Sequence, residues 1–290
     1  MVCKKPFARG TLTFGCGQCV PCRISKKRLW AFRIYLESML HKSSSFATLT
    51  YSPENLPPGG TLVPKHFQDF MKRLRARIEV DQRKVRFFGV GEYGEQSERP
   101  HYHAILYGIS PFEADLVGSC WSHGFVQLGD VNLHSAQYVA GYTVKKLTNG
   151  KDPYVQEKLN GRHPEFARMS LKPGIAADAV EKIKNSLTPE QFENYFQETG
   201  DVPKQLQVGK TKYPLGRYLT KKLRLAAGKG EKNSEAIIRW SADMSVLLDE
   251  AFKKPENQKR GIKGIIKSQN EGKIASIEAK EKIFKQKRII

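Results

Sequence analysis

Residues 84–108, KVRFFGVGEYGEQSERPHYHAILYG, constrain the fold more than any other stretch of the chain. Two runs rich in β-branched and aromatic residues, 84–93 and 100–108, flank a polar loop containing Gly94, and this pattern predicts two strands. Side chains of a strand alternate between faces, so His101 and His103 stand on one face about 6.7 Å apart along the chain. Tyr102, Ala104 and Leu106 take the other face. Two imidazoles side by side in a strand that otherwise belongs to a core need a chemical reason.

The flanking sequence supplies the rest of a sheet. From Ser25, read as an N-cap, SKKRLWAFRIYLESMLH places Leu29, Phe32, Leu36 and Met39 or Leu40 at helical spacing. Residues 45–51 read as a strand ended by PENLPPGG, and residues 64–79 as a helix with Pro64 suited to its first position. A weaker helix, PFEADLVGSCW, leads to a short strand near GFVQL, and 132–147 reads as a helix ended by Gly150. This β-α-β-β-α-β-α order implies an α+β fold, an antiparallel sheet with helices packed on one side.

Past residue 150 the chain becomes more polar and more helical, with candidate helices at 176–188, 189–198 and 234–252. The expected organisation is a Cys-rich N-terminal segment at 1–24, a sheet domain at 25–150, a mostly helical accessory region at 151–252, and a basic tail at 253–290. Lys and Arg number 49 against 29 Asp and Glu, a formal charge of +20 with histidines neutral. Such an excess seeks polyanions, nucleic acid foremost. KTKYPLGRYLTKKLRLAAGKG spaces cations among aromatic residues, so Arg217, Tyr218, Lys221, Lys222 and Arg224 are candidates to contact phosphates and stack bases. The tail, with twelve Lys or Arg against four Glu, reads as a flexible or helical arm with non-specific DNA affinity.

No apolar stretch approaches the roughly 20 residues of a membrane span, and no apolar segment follows the basic N-terminus, so a cytosolic protein is expected. In a reducing compartment three cysteines in GCGQCVPCR point to metal rather than disulfides. Cys16, Cys19 and Cys22, with Cys3 as a fourth ligand, fit a tetrahedral structural Zn²⁺ site. Cys120 has an apolar setting and reads as core.

Two imidazoles on one strand face can converge on a metal ion if an anion completes the site. The preceding strand ends in GEYG, and in an antiparallel hairpin Glu92 falls opposite His101 or His103, giving one carboxylate and two imidazoles. On the later helix, Tyr138, Tyr142 and Lys145 share a face at i, i+4 and i+7, with Lys146 the alternative if the helix phase differs. Gly141 between the tyrosines costs about 1 kcal/mol relative to Ala inside a helix, which suggests close approach by the sheet or a substrate backbone.

FATLTY, then GEYG followed by RPHYH, then YVAGYTVK is similar in order and spacing to the three motifs of the HUH endonucleases, the rolling-circle replication initiators. The two-tyrosine form with a lysine three residues after the second resembles the initiators of microviruses (Microviridae), small single-stranded DNA phages. CGQCVPCR, FARMSLKPGI at 166–175 and GRYLTKKLR at 216–224 look like the gokushovirus branch. The catalytic motifs cover about residues 45–147. One departure is Tyr102, where the residue between the histidines is usually bulky and apolar; its side chain should point away from the metal.

The resemblance implies a ferredoxin-like or RRM-like HUH topology with a helical C-terminal extension, and a metal-dependent nickase and strand transferase. Glu92, His101 and His103 would hold Mg²⁺ or Mn²⁺, and Tyr138 or Tyr142 would attack the scissile phosphate with Lys145 beside it. The product is a 5′-phosphotyrosine and a free 3′-OH, in the cytoplasm of a bacterial host, with origin DNA, a replication helicase and a polymerase as partners. Two rivals share some of these features: a metal-dependent nuclease that activates water, and a non-catalytic zinc-stabilised DNA-binding protein.

Overall fold

The computed structural model describes residues 2–10, 12–142, 144, 153–186, 188–231 and 234–286. In chain order the elements are β1 (Phe7–Arg9), β2 (Leu12–Phe14), α1 (Val20–Ser38), β3 (Ser44–Tyr51), α2 (Pro64–Glu79), β4 (Arg86–Tyr93), β5 (Pro100–Tyr107), α3 (Ala114–Cys120), β6 (Gly124–Asp130) and α4 (Leu133–Tyr142). They continue with α5 (Pro153–Leu159), β7 (Phe166–Met169), α6 (Ala179–Asn185), α7 (Pro189–Thr199), β8 (Gln205–Val208), β9 (Thr211–Pro214), α8 (Gly216–Ala226), α9 (Ser234–Phe252), α10 (Pro255–Gln258), α11 (Gly261–Gln269) and α12 (Glu271–Gln286).

The fold is α+β. Its centre is a five-stranded sheet in the order β6-β3-β5-β4-β7, antiparallel at every pairing, a topology consistent with the HUH-endonuclease fold. Two compact units are formed. One comprises Lys27–Ser186 and Lys204–Lys222 and carries the sheet; the other comprises Met1–Lys26, Leu187–Pro203 and Leu223–Ile290. The sheet's unit thus runs past the boundary near residue 150 read from composition, because β7 pairs with β4.

α2 follows its sequence pattern closely, spanning Pro64–Glu79 with proline at its first position. Phe67, Phe70, Met71, Leu74 and Ile78 are buried against Ala47, Leu49, Tyr102, Ala104 and Leu106 of the sheet, where α3 adds Val117 and Cys120. Burial of such side chains contributes roughly 1.5–3 kcal/mol each. The approach depends on Gly89, since a Cβ there would lie 2.4 Å from the Phe67 ring. Gly124 opens β6 at φ +153°, where a Cβ would stand 2.3 Å from the Ser52 nitrogen; a residue with a side chain cannot take this conformation without strain.

Helices cover both faces of the sheet, which corrects the expectation of one covered side. On the second face Phe88 meets Trp30 of α1 with ring centroids 5.4 Å apart, and the Tyr107 hydroxyl donates to the Ile34 carbonyl at 3.3 Å. The physical reason is that Phe88, Ile105 and Tyr107 make the alternate positions of β4 and β5 apolar as well, and a strand apolar on both faces must be covered on both. α1 also starts at Val20 rather than at Ser25, because a proline at its second residue is compatible with a helical first turn. β7 and the β8–β9 hairpin are strands of four residues each, too short to show an alternating pattern.

Candidate metal centre and tyrosine helix

The second face of β5 changes character along its length. Ile105 and Tyr107 are buried and apolar, whereas His103 and His101, two and four residues earlier, are the polar continuation of the same row. The β4–β5 register sets Glu92 directly opposite His101 and Val90 opposite His103. Residues directly opposite in an antiparallel pair share a face, so the carboxylate and both imidazoles converge. Glu92 Oε1 lies 2.9 Å from His101 Nε2 and 3.1 Å from His103 Nε2, with Glu92 3% exposed.

The outer ring nitrogens are also engaged. His101 Nδ1 lies 3.1 Å from the Arg99 carbonyl oxygen, and His103 Nδ1 lies 3.0 Å from Thr48 Oγ1 on β3. A carbonyl only accepts, so Nδ1 of His101 carries the proton and a neutral ring offers its Nε2 lone pair. That lone pair then faces a carboxylate, which also only accepts. A cation seated between them resolves the conflict, and hydrogen bonds to the outer nitrogens are the usual support of metal-ligating histidines. The three ligand atoms lie within 4.8 Å of one another. One carboxylate and two imidazoles fit a divalent ion and leave coordination positions open.

α4 lies over this cluster. Asn132 caps it, its side-chain oxygen accepting from the backbone N–H groups of His134 at 2.8 Å and Ser135 at 2.9 Å. Ala136, Val139 and Ala140 are buried, and Tyr138 and Tyr142 meet the histidines. The His103 ring stands 5.3 Å from Tyr138 and 5.9 Å from Tyr142, and the two tyrosine rings are 5.1 Å apart. Phe46 of β3 stacks on His103 at 5.3 Å and meets Tyr138 edge-on at 6.0 Å. Burial, the Glu92 charge, and hydrogen bonds to Tyr138 and Glu92 push the Tyr142 phenol well above its ordinary value.

Lys145 and Lys146, together with Gly150, fall outside the described residues. Gly141 is not crowded by the sheet: a Cβ there would meet Lys27 Cε at 3.7 Å and Nζ at 3.8 Å, ordinary contact distances. Lys27, on α1, is therefore a cation beside the tyrosine helix that sequence spacing did not flag. Only the packing of α1 against α4 could reveal it.

Tyr102 points to the opposite face as expected and is fully buried. Its hydroxyl meets the Tyr51 hydroxyl at 2.7 Å, accepts from the Val63 N–H at 3.1 Å and donates to the Val63 carbonyl at 2.9 Å. The polar tip that sets it apart from an apolar residue is thereby satisfied. Cys120 is buried, as expected.

The basic stretch divides. Arg217 and Lys222 are exposed. Tyr218 packs beneath the Arg33 guanidinium at 4.7 Å and accepts from the Gly174 N–H at 3.1 Å, and Tyr213 is buried against Phe32. Arg224 forms an ion pair with Asp201, its Nε donating at 2.6 Å. The aromatic side chains expected to stack on bases are thus used in packing, because helical spacing alone does not say which face a helix buries. Lys221 is half-buried. Cys3, Cys16, Cys19 and Cys22 do come together, their sulfur atoms within 4.8 Å of one another. Among the described residues no helix is long and apolar enough to cross a membrane.

Residues 44–147, from the first residue of β3 to beyond α4, match the model of the ORF2 family of replication-associated proteins. The chain is 33% identical over 162 residues to Replication-associated protein VP4 of Bdellovibrio phage phiMH2K, covering 49% of this chain and 51% of that protein. It is 32% identical over 181 residues to Replication-associated protein ORF2 of Spiroplasma virus 4, covering 55% of each. Over 177 residues it is 25% identical to Replication-associated protein ORF4 of Chlamydia phage 1, covering 54% of this chain and 44% of that protein. The chain spans about half the length of the curated relatives it matches. No solved structure matches. These matches support a microvirus-type rolling-circle initiator.

Proposed function

We propose that the chain initiates rolling-circle replication of a small single-stranded DNA phage by nicking origin DNA through a tyrosine and later rejoining the ends. The observation that carries this reading is the placement of Tyr138 and Tyr142 directly over Glu92, His101 and His103. Water-dependent metal nucleases and DNA-binding modules have no use for two phenols at such a site.

Glu92, His101 and His103 would hold Mg²⁺ or Mn²⁺, whose contribution is to polarise the scissile phosphate and neutralise charge developing on its oxygens. The chain's residues do the rest. A tyrosine Oη attacks phosphorus, an Oη–P bond forms, and the bond from phosphorus to the 3′-oxygen breaks. The proton lost by the phenol is balanced by the one gained at the 3′-hydroxyl, and the new phosphotyrosine conserves a phosphodiester for rejoining. No nucleotide cofactor is consumed.

An ordinary tyrosine is neutral at physiological pH, and Tyr142 is held more firmly so by burial and Glu92. The attacking phenol therefore needs positive charge nearby. Lys145 and Lys27 are the chain's own cations for that role. Two tyrosines allow one to hold the 5′ end while the other cuts the regenerated origin. Arg217 and Lys222, with the basic tail, would bind phosphates non-specifically, and a host helicase and polymerase would extend the 3′-OH in the cytoplasm of the bacterial host.

The test uses end-labelled single-stranded oligonucleotides tiling the genome that encodes the chain, incubated with protein and Mn²⁺ and run on a denaturing protein gel. Label is expected to travel with the protein and to vanish in Tyr138→Phe/Tyr142→Phe. Cleavage that survives the double substitution contradicts the proposal.

A further inference from the structure

The N-terminal 22 residues have little apolar packing of their own to hold them in place. β1 and β2 pair over three residues each, and Phe7 and Phe14, the largest side chains of the hairpin, stack on one another at 5.2 Å while remaining 48% and 40% exposed. An isolated two-stranded hairpin is marginal in water even when longer than this. Yet the chain brings four cysteines from both sides of this hairpin to one point: Cys3 before it, Cys16 after it, Cys19 at the start of α1 and Cys22 in the first turn of α1.

We propose that Cys3, Cys16, Cys19 and Cys22 hold one Zn²⁺ ion in a structural site that clasps the β1–β2 hairpin to the N-terminus of α1. Three observations carry it. First, the spacing: zinc–sulfur bonds of about 2.3 Å in a tetrahedron place the sulfurs roughly 3.8 Å apart, and Cys3 Sγ and Cys19 Sγ are 3.8 Å apart, with all four inside 4.8 Å. All five cysteines are free thiols, so this approach is not a disulfide. Second, the tight C-x₂-C-x₂-C spacing is accommodated because the helix begins at Val20, and residues three apart at the start of a helix point the same way.

Third, backbone amides are turned toward the sulfurs. The N–H of Cys16 donates to Cys3 Sγ at 3.2 Å, that of Cys19 to Cys16 Sγ at 3.3 Å, and that of Lys4 to Cys19 Sγ at 3.5 Å. Donors aimed at sulfur are the outer support that thiolate ligands of a metal receive. Four thiolates this close repel one another unless a cation sits among them. The tetrahedral S₄ set selects zinc or a single iron ion. An iron–sulfur cluster does not fit, because its thiolates bind different iron atoms and must stand further apart. Lacking redox chemistry in this setting, the site contributes folding energy.

The site is separate from the Glu92, His101 and His103 cluster and can be tested independently of it and of nicking. The full chain, produced in medium containing both zinc and iron, is analysed by inductively coupled plasma mass spectrometry in a His101→Ala/His103→Ala background. One zinc per chain is expected, and Cys16→Ser/Cys22→Ser is expected to remove it. Should the cysteine variant fail to fold, the same His101→Ala/His103→Ala chain refolded with Co²⁺ decides: sulfur-to-cobalt charge transfer with intense visible bands supports the site. Iron in place of zinc, no tightly held metal, zinc that departs with the histidines, or a pale six-coordinate cobalt spectrum each overturns it.

Discussion

Glu92 and His101 face each other as a directly opposed pair across β4 and β5, and their Oε1 and Nε2 atoms stand 2.9 Å apart. The same carboxylate oxygen reaches His103 Nε2 at 3.1 Å. Glu92→Gln keeps the shape and removes the anion. Because supporting residues alone change metal affinity by about 10–100-fold, loss of this ligand should weaken Mn²⁺ binding by more than about 100-fold. Calorimetric titration checks it, and an unchanged affinity would remove Glu92 from the ligand set.

Thr48 acts one step back. Its hydroxyl lies 3.0 Å from His103 Nδ1 and fixes that ring's orientation. Thr48→Val should lower Mn²⁺ affinity by about 10–100-fold while leaving thermal stability nearly unchanged. Equal affinity in the variant would show that ring packing by Phe46 and Tyr138 suffices.

Tyr102→Phe should have the reverse profile. Removing the hydroxyl leaves Tyr51 and the Val63 backbone groups short of a buried partner, which costs about 1–3 kcal/mol. Urea denaturation should show that loss with Mn²⁺ affinity intact, since the ring faces away from the metal ligands.

Two glycines in this unit should respond with opposite signs. Gly89→Ala drives a methyl into the Phe67 ring and should cost about 1–3 kcal/mol. Gly141→Ala places its methyl at ordinary distance from Lys27 and should stabilise by up to about 1 kcal/mol. Melting curves of the two variants against wild type decide both.

Acid should expose Glu37. Burial alone would raise its carboxyl, but hydrogen bonds from His41, the Ala176 N–H and Arg86 outweigh it and hold the group below the usual carboxylate range. A depressed acid contributes stability above its unfolded value of about 4.3 and loses it as pH falls through the folded value. Glu113, held down by Arg83, adds to the same acid limb. The difference between wild type and Glu37→Gln therefore isolates Glu37: it should be largest near neutrality and shrink below about pH 4. A difference independent of pH contradicts the assignment.

The sheet and the histidine row were legible because strand alternation is local: RPHYHAILYG puts His101 and His103 on one face whatever surrounds it. The strand before it carried Glu92 to within the right register for the same reason. What covered each face was not legible. Phe88, Ile105 and Tyr107 show that the second face is buried, but only the path of α1 across it shows by what, and that same path brings Lys27 beside Gly141. Nor could periodicity tell that Tyr218 and Arg224 of the basic stretch are occupied by Gly174, Arg33 and Asp201, since those partners lie tens of residues away in sequence. The start of α1 at Val20 was hidden by Pro21, which reads as loop outside its one favourable helical setting.

The central claim is that a tyrosine of α4 becomes covalently joined to DNA at the face formed by Glu92, His101 and His103. The most direct measurement is tandem mass spectrometry of the protein after reaction with single-stranded DNA and Mn²⁺, followed by nuclease and protease digestion. The predicted result is a nucleotide 5′-phosphate attached to Tyr138 or Tyr142, absent from Glu92→Gln protein. Cleaved DNA with both tyrosines unmodified, or an adduct on a residue outside α4, would contradict the account.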